Sequence, residues 1–243
     1  MSCDWQTAPN ELTLAPNQIH VWRTVLDATF HANDLITLLS PDEQSRARAF
    51  RFPEHRARYI IAHASLRRIL ARYTRIAPQD LIFATDAFGK PYLLQSESAL
   101  RFNLAHSEEL AVCAITSNVP IGVDVEFIKP IENLADIATR FFSPREVAAL
   151  LALPADQHTR GFFNCWTRKE AYIKAIGKGL SQPLDQFEVS LAPGEPARFL
   201  FARDDPHIAE RWSLFSLEPA PGYVGAIAIP ARDCELRCWR FDG

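Results

Sequence analysis

Four residues have the types and spacings that phosphate and metal chemistry needs. Asp124 and Glu126 stand two apart in Ile121-Gly122-Val123-Asp124-Val125-Glu126, and Glu170 and Lys174 stand four apart some forty residues later in Trp166-Thr167-Arg168-Lys169-Glu170-Ala171-Tyr172-Ile173-Lys174. The first stretch alternates as a strand does, with Ile121, Val123, Val125 and Phe127 on one face and Gly122, Asp124 and Glu126 on the other. Its two carboxylates project the same way and can converge on one cation. The second stretch reads as a helix with an apolar stripe of Phe163, Trp166, Ile173 and Gly177, and Glu170 falls within that stripe. A carboxylate facing the core needs a partner, because burying it bare costs several kcal/mol. Two partners fit. One is a hard divalent cation shared by Asp124, Glu126 and Glu170; the other is Lys174, paired to Glu170 across one helical turn on an exposed face.

The elements that position these groups belong to a chain of 243 residues, 48% apolar, enough for one large domain or two small ones. A net charge of −3 argues against a dedicated nucleic-acid binder. The charge is uneven, however: nine Arg against three acids lie between Pro41 and Arg75, a local excess of +6 that leaves about −9 elsewhere. The five Cys form no C-x-x-C pair, and Cys234 and Cys238 have no His cluster beside them, so free thiols in a reducing cytoplasm are expected. No apolar run approaches membrane-spanning length and the N-terminus lacks a signal pattern, which predicts a soluble intracellular protein.

In chain order, Met1 to Asn17 reads as a loose arm and Ile19 to Leu26 as a strand. Ser40-Pro41-Asp42-Glu43 has the capping-box form of a helix start, and a second helix runs from Arg58 to Tyr73. Leu81 to Phe83 is a strand, Ala87 to Pro91 a turn, and Leu100 to Leu104 with Leu110 to Ile115 a hairpin. The order then recurs. Ile121 to Val125 answers Ile19 to Arg23 at an offset of 102, Ser143-Pro144-Arg145-Glu146 answers Ser40 to Glu43 at 103, Leu184 to Val189 answers Gln79 to Phe83 near 105, and Val224 to Ile229 answers Ala111 to Ile115 near 113. Four matches in one order imply two copies of an α+β unit, residues 1–118 and 119–243, packed pseudosymmetrically. Trp22 and Thr24 are the counterparts of Asp124 and Glu126, so the carboxylates belong to the second copy and the Arg-rich stretch to the first. An anion gripped by one copy, with its metal on the other, would sit in the cleft between them.

Several motifs together resemble the 4′-phosphopantetheinyl transferases, and specifically the larger, pseudodimeric Sfp-type class. They are Gly122-Val123-Asp124-Val125-Glu126, Phe141-Phe142-Ser143-Pro144-Arg145-Glu146, Trp166-x-x-Lys169-Glu170-Ala171-x-x-Lys174, Gly177-Lys178-Gly179-Leu180, Gly89-Lys90-Pro91 and Phe102-Asn103-Leu104-Ala105-His106-Ser107. The resemblance spans about residues 19 to 230. It implies transfer of the phosphopantetheine arm of coenzyme A to a Ser of an acyl or peptidyl carrier protein, with release of 3′,5′-ADP, by a monomeric cytoplasmic enzyme. It implies Mg²⁺, or Mn²⁺, on Asp124, Glu126 and Glu170, where the cation neutralises the pyrophosphate. Glu170, Glu146 or a metal-bound water would be the base toward the Ser hydroxyl. Lys174 and Lys169 would reach the pyrophosphate, Lys90 the nucleotide, His106 a phosphate, and Arg46 and Arg58 the 3′-phosphate through their bidentate forks. Ala105 departs from the Ser that many relatives carry, removing one phosphate hydrogen bond. Apolar residues between Phe127 and Phe142, with Lys129 and Arg140, would help dock the carrier. Against this stand a Mg²⁺-dependent phosphohydrolase or nucleotidyltransferase using the same carboxylates, and a non-catalytic scaffold that binds CoA or carrier.

Overall fold

The computed structural model describes residues 3–27, 32–95, 100–177, 179 and 182–242. Its strands are β1 (Trp5–Thr7), β2 (Gln18–Val25), β3 (Phe83–Thr85), β4 (Pro91–Leu93), β5 (Leu100–Ser107), β6 (Leu110–Ser117), β7 (Gly122–Phe127), β8 (Phe187–Val189), β9 (Phe199–Ala202), β10 (Ser213–Leu217), β11 (Tyr223–Ile229) and β12 (Glu235–Phe241). Its helices are α1 (Ala32–Leu35), α2 (Pro41–Arg48), α3 (Pro53–Thr74), α4 (Leu134–Phe141), α5 (Pro144–Leu151), α6 (His158–Ile176) and α7 (Ile208–Arg211).

Two sheets meet face to face, one in the order β1-β12-β2-β6-β5 and the other β10-β11-β7. Ile19, Val21, Val112 and Ala114 of the first pack on Ile121, Val123, Val125 and Ile227 of the second, all buried. The opposite face of the first sheet takes Leu66, Ile69 and Leu70 of α3, and that of the second takes Ala171 and Ala175 of α6. The layers therefore run α3, sheet, sheet, α6, and the expected α+β architecture of two similar units is present. Register makes the repeat concrete: Trp22 lies across from Cys113 as Asp124 lies across from Ala226.

The repeat extends to the polar interior. Ser40 and Ser143 each close a full capping box, with Glu43 and Glu146. Each Glu then reaches a buried cation on the long helix that follows, Arg67 at 2.7 Å and Lys169 at 2.8 Å. Each cation also donates to two loop carbonyls, Arg67 to Pro78 and Leu81, Lys169 to Leu184 and Phe187, and lies over a ring, Phe83 or Phe187. Each half thus bolts its capped short helix to its long one by the same device. Burial alone would raise the Glu43 carboxyl, but hydrogen bonds from His63, the Ser40 N–H and Arg67, with the Arg67 charge, hold it at about 2. A carboxyl depressed on folding stabilises fully above its ordinary 4.5 and loses that contribution as pH falls toward 2. Glu43→Gln should therefore cost up to about 3 kcal/mol at neutral pH and converge with the parent as pH falls through about 2; an undiminished gap at that acid end would contradict the assignment.

The two units share a strand: the last, β12, pairs in parallel with β2, so the second half returns a strand to the first sheet. Two expectations are corrected here. The N-terminal arm is tied down, since β1 pairs with β12. Cys3 and Cys238 form a disulfide, with Cα atoms 5.9 Å apart, leaving Cys113, Cys165 and Cys234 as free thiols. No helix among the described residues is long and apolar enough to cross a membrane.

Candidate active site

β7 and α6 cross in direct contact, and Gly122 is what lets them. A Cβ at Gly122 would lie 2.0 Å from the Ala171 carbonyl oxygen and 2.4 Å from the Ala175 nitrogen. That close crossing places Lys174 over Asp124, Nζ to Oδ1 2.6 Å. Gly177 ends α6 in the left-handed conformation, φ 71°, where Arg75 ends α3 at φ 58°.

Asp124 is buried, and its Oδ2 has no hydrogen-bond partner. Burial pushes its carboxyl up to about 7; Lys174 opposes that rise, and Glu126 and Glu170 add to it. Glu170 is likewise raised by burial, with Lys174 opposing and Glu126 reinforcing. The three carboxylates therefore share one field, as their spacing implies. Among the described residues, no three acidic, His or Cys side chains form a ready-made cage for an ion. Mg²⁺ does not ask for one: it takes one or two carboxylates and completes its shell with water and substrate phosphate. An orphaned buried carboxylate oxygen flanked by two more acids fits such an ion.

Basic side chains lie near the carboxylates, on β5 and α3. His106 lies on β5 and feels His63, Lys174 and Arg58. Burial lowers its ring below the ordinary imidazole range, and these neighbours push the same way. Arg58 pairs with Glu108 at 3.3 Å and Glu109 at 3.5 Å. Arg46 is exposed on α2, near Tyr59, which stacks on His63 at 4.0 Å; the structure does not bring it to the carboxylates. A cavity of about 270 Å³ reaches Glu170 and Lys174 and is lined also by Phe88, Lys90, Asn103 and Ile173.

Some expected residues are elsewhere. Glu146 and Lys169 face the core, 2% and 0% exposed, bound to each other and to backbone, so neither the base role for Glu146 nor the ligand role for Lys169 fits. Their buried pair is the second-half copy of Glu43 and Arg67. Lys90 borders the cavity, but its ammonium donates to the carbonyls of Ile121 (2.9 Å), Lys174 (2.6 Å) and Ala175 (3.2 Å). It fastens the Gly-Lys-Pro turn to β7 and to the C-terminal end of α6, where a cation is favoured, and burial lowers it to about 8. Lys90→Met should cost about 2–4 kcal/mol by leaving these carbonyls unpaired, read as a lower denaturant midpoint at constant m-value; an unchanged midpoint would rule out the fastening role. Lys178 and Leu180 of the glycine motif lie outside the described residues. Sequence reasoning missed His63, masked by its Arg-rich helix, and Asn103 and Ser107, which were quoted only as part of a motif.

In the first half, Trp22 replaces Asp124, and Arg72 lies over its ring at 5.1 Å, one residue for one in the place of the Lys174–Asp124 pair. The carboxylate site exists once.

Residues 120–228 match the 4′-phosphopantetheinyl transferase superfamily and residues 20–118 match the 4′-phosphopantetheinyl transferase N-terminal family. The chain is 39% identical over 240 residues to the 4′-phosphopantetheinyl transferase HetI of Nostoc sp., spanning 98% of both. It is 38% identical over 156 residues to Sfp of Bacillus subtilis, 64% of this chain and 68% of that one. Among solved structures, the holo-[acyl-carrier-protein] synthase of Helicobacter pylori in complex with coenzyme A is a remote match, with a TM-score of 0.35 at 19% identity over 45% of this chain and 97% of that chain. With 39% identity to one such enzyme over nearly the whole of both chains and both halves matched, the chain belongs to the 4′-phosphopantetheinyl transferase family.

Proposed function

We propose that the cleft between the Asp124–Glu126–Glu170 cluster and the His106–His63–Arg58 wall moves the phosphopantetheine arm of coenzyme A to a Ser hydroxyl of an acyl or peptidyl carrier protein, releasing 3′,5′-ADP. The orphaned oxygen of Asp124 carries this reading, because it is a buried carboxylate position beside two further acids that a cation would complete. Asp124, Glu126 and Glu170 would hold Mg²⁺, or Mn²⁺, which when bound neutralises pyrophosphate charge. Lys174, already fixed by Asp124, sits where it can donate to a pyrophosphate oxygen as charge develops. His106 offers an imidazole N–H to the remaining phosphates, with the Arg58 guanidinium near it as the cation. Glu170, raised by burial and lining the cavity, is the base we favour over Glu146, which is held in the core. Both walls come from one chain, so the monomer is the active unit, and residues 1–118 and 119–243 serve as its CoA and metal sides.

The test is mass spectrometry of apo carrier proteins of fatty-acid, polyketide and peptide synthesis, each incubated with this protein, CoA and Mg²⁺. A gain of one phosphopantetheine on the acceptor Ser is expected for at least one carrier. No gain on any of them, with CoA consumed in their absence, would replace transfer by hydrolysis.

A further inference from the structure

The two halves close their sheets differently. The edge of β2 that faces away from β6 is paired along its length by β12. The matching edge of β7, away from β11, is met instead by two side chains of β5: Asn103 Oδ1 accepts from the Val123 N–H at 2.8 Å, and Ser107 Oγ accepts from the Phe127 N–H at 3.1 Å. Ser107 does one thing more. Its Oγ lies 2.7 Å from Oε2 of Glu126.

We infer that Ser107 is a positioning residue for Glu126, setting the carboxylate that the proposed reading assigns to the cation. The hydroxyl's chemistry fixes the direction of the bond. Its lone pairs are engaged by the Phe127 N–H, and its single proton points to an acceptor-only carboxylate. Oε2 is thereby held at the short distance typical of a hydroxyl donating to an anion. A carboxylate at the end of a flexible side chain has several rotamers open to it; one strong donor, itself anchored to the strand's own backbone, selects among them. Outer hydrogen bonds of this kind orient metal ligands generally, and removing them weakens metal affinity by roughly 10–100-fold.

The repeat supports a dedicated role. Leu104 lies across from Cys113 as Ser216 lies across from Ala226, which makes Phe215 and Pro219 the counterparts of Asn103 and Ser107. Neither of them offers a side-chain hydrogen bond. The hydroxyl occurs only where its neighbouring strand carries carboxylates, and it comes from the opposite half of the chain. β5 consequently presents His106 to the basic side chains and Ser107 to the carboxylates, from adjacent residues on opposite faces. This inference rests on the metal reading of Glu126, and the experiment separates the two.

Mn²⁺ affinity of the free protein, without CoA, is measured by calorimetry for the parent, Ser107→Ala, the matched pair Ser107→Thr and Ser107→Val, and Asp124→Asn, each with its melting temperature. Ser107→Ala and Ser107→Val should bind Mn²⁺ about 10-fold more weakly or worse, while Ser107→Thr, which keeps the hydroxyl, stays within about 3-fold of the parent. Thr and Val are nearly isosteric and both suit a strand, so this pair reads the hydroxyl even if the alanine variant folds poorly. Parental affinity in Ser107→Val while Asp124→Asn has lost binding would overturn the positioning role and leave the metal site standing. Parental affinity in Asp124→Asn would overturn the metal reading and this inference with it.

Discussion

Gly122→Ala should be among the most damaging single substitutions in the chain, costing about 3–5 kcal/mol or preventing accumulation of folded protein, although it adds one methyl group. Real Cβ atoms do not approach within 3.0 Å of another residue's backbone, and here the added carbon would stand 2.0 Å from the Ala171 carbonyl oxygen and 2.4 Å from the Ala175 nitrogen. Both obstacles are main-chain atoms of α6, so no rotamer change relieves them; the helix must lift or slide by more than an ångström. Because α6 carries Glu170 and Lys174 and β7 carries Asp124, that movement breaks the 2.6 Å Lys174–Asp124 contact. Misplacement of catalytic groups by about 1 Å is enough for a loss on the order of 100-fold. Trimming Ala171 to Gly in the same protein should restore nothing, since the blocking atom is the carbonyl and not the methyl. The checks are thermal unfolding and the transfer assay on whatever folded fraction is obtained. A Gly122→Ala protein with parental melting temperature and turnover would show that α6 and β7 do not cross as described.

Gly122 also marks how far sequence carries. The alternation of Ile121 to Phe127 specifies which side chains share a face, and the two Ser-Pro-x-Glu helix starts fix the repeat, because both signals are local. The partner across each face is not local. Glu146 and Lys169 flank the catalytic motifs and have the right chemistry for a base and a phosphate contact, yet they lie 2.8 Å apart inside the core. A signal did exist: Glu43 with Arg67 and Glu146 with Lys169 are separated by 24 and 23 residues, so a charge pair recurring at the repeat offset was visible as structure before it was visible as chemistry. Lys90 misled for a different reason. A turn lysine beside a ligand cavity looks free until three carbonyls from two distant segments are seen to converge on it. The placement of β12 and the Cys3–Cys238 bridge depend on which sheet edge lies open in the folded chain, and neither composition nor periodicity encodes that.

Asp124→Asn should abolish transfer, by about 10³-fold or more, without destabilising the metal-free protein. The two halves of that statement have one cause. An ionised carboxylate with a buried, unpartnered oxygen opposes folding when no cation is present: burial is the largest cost, Lys174 offsets it only in part, and Glu126 and Glu170 add a smaller repulsion. Asn keeps the shape, removes the charge and still offers its carbonyl oxygen to Lys174. The free variant should therefore melt at or above the parent's temperature. Adding Mg²⁺ should separate them in the other direction: ligand that binds only the folded state stabilises by RT ln(1 + [L]/Kd), about 2.7 kcal/mol at a hundredfold excess over Kd, so the parent's melting temperature rises with Mg²⁺ and the variant's does not. A site retained in spite of its cost to the metal-free fold is one whose geometry answers to a ligand, and the missing Mg²⁺ response is its signature. Should Asp124→Asn melt well below the parent in metal-free buffer, Asp124 is a structural partner of Lys174 and the cation belongs elsewhere; should it keep both the Mg²⁺ shift and turnover, the carboxylate that is single to the second half has no part in the reaction.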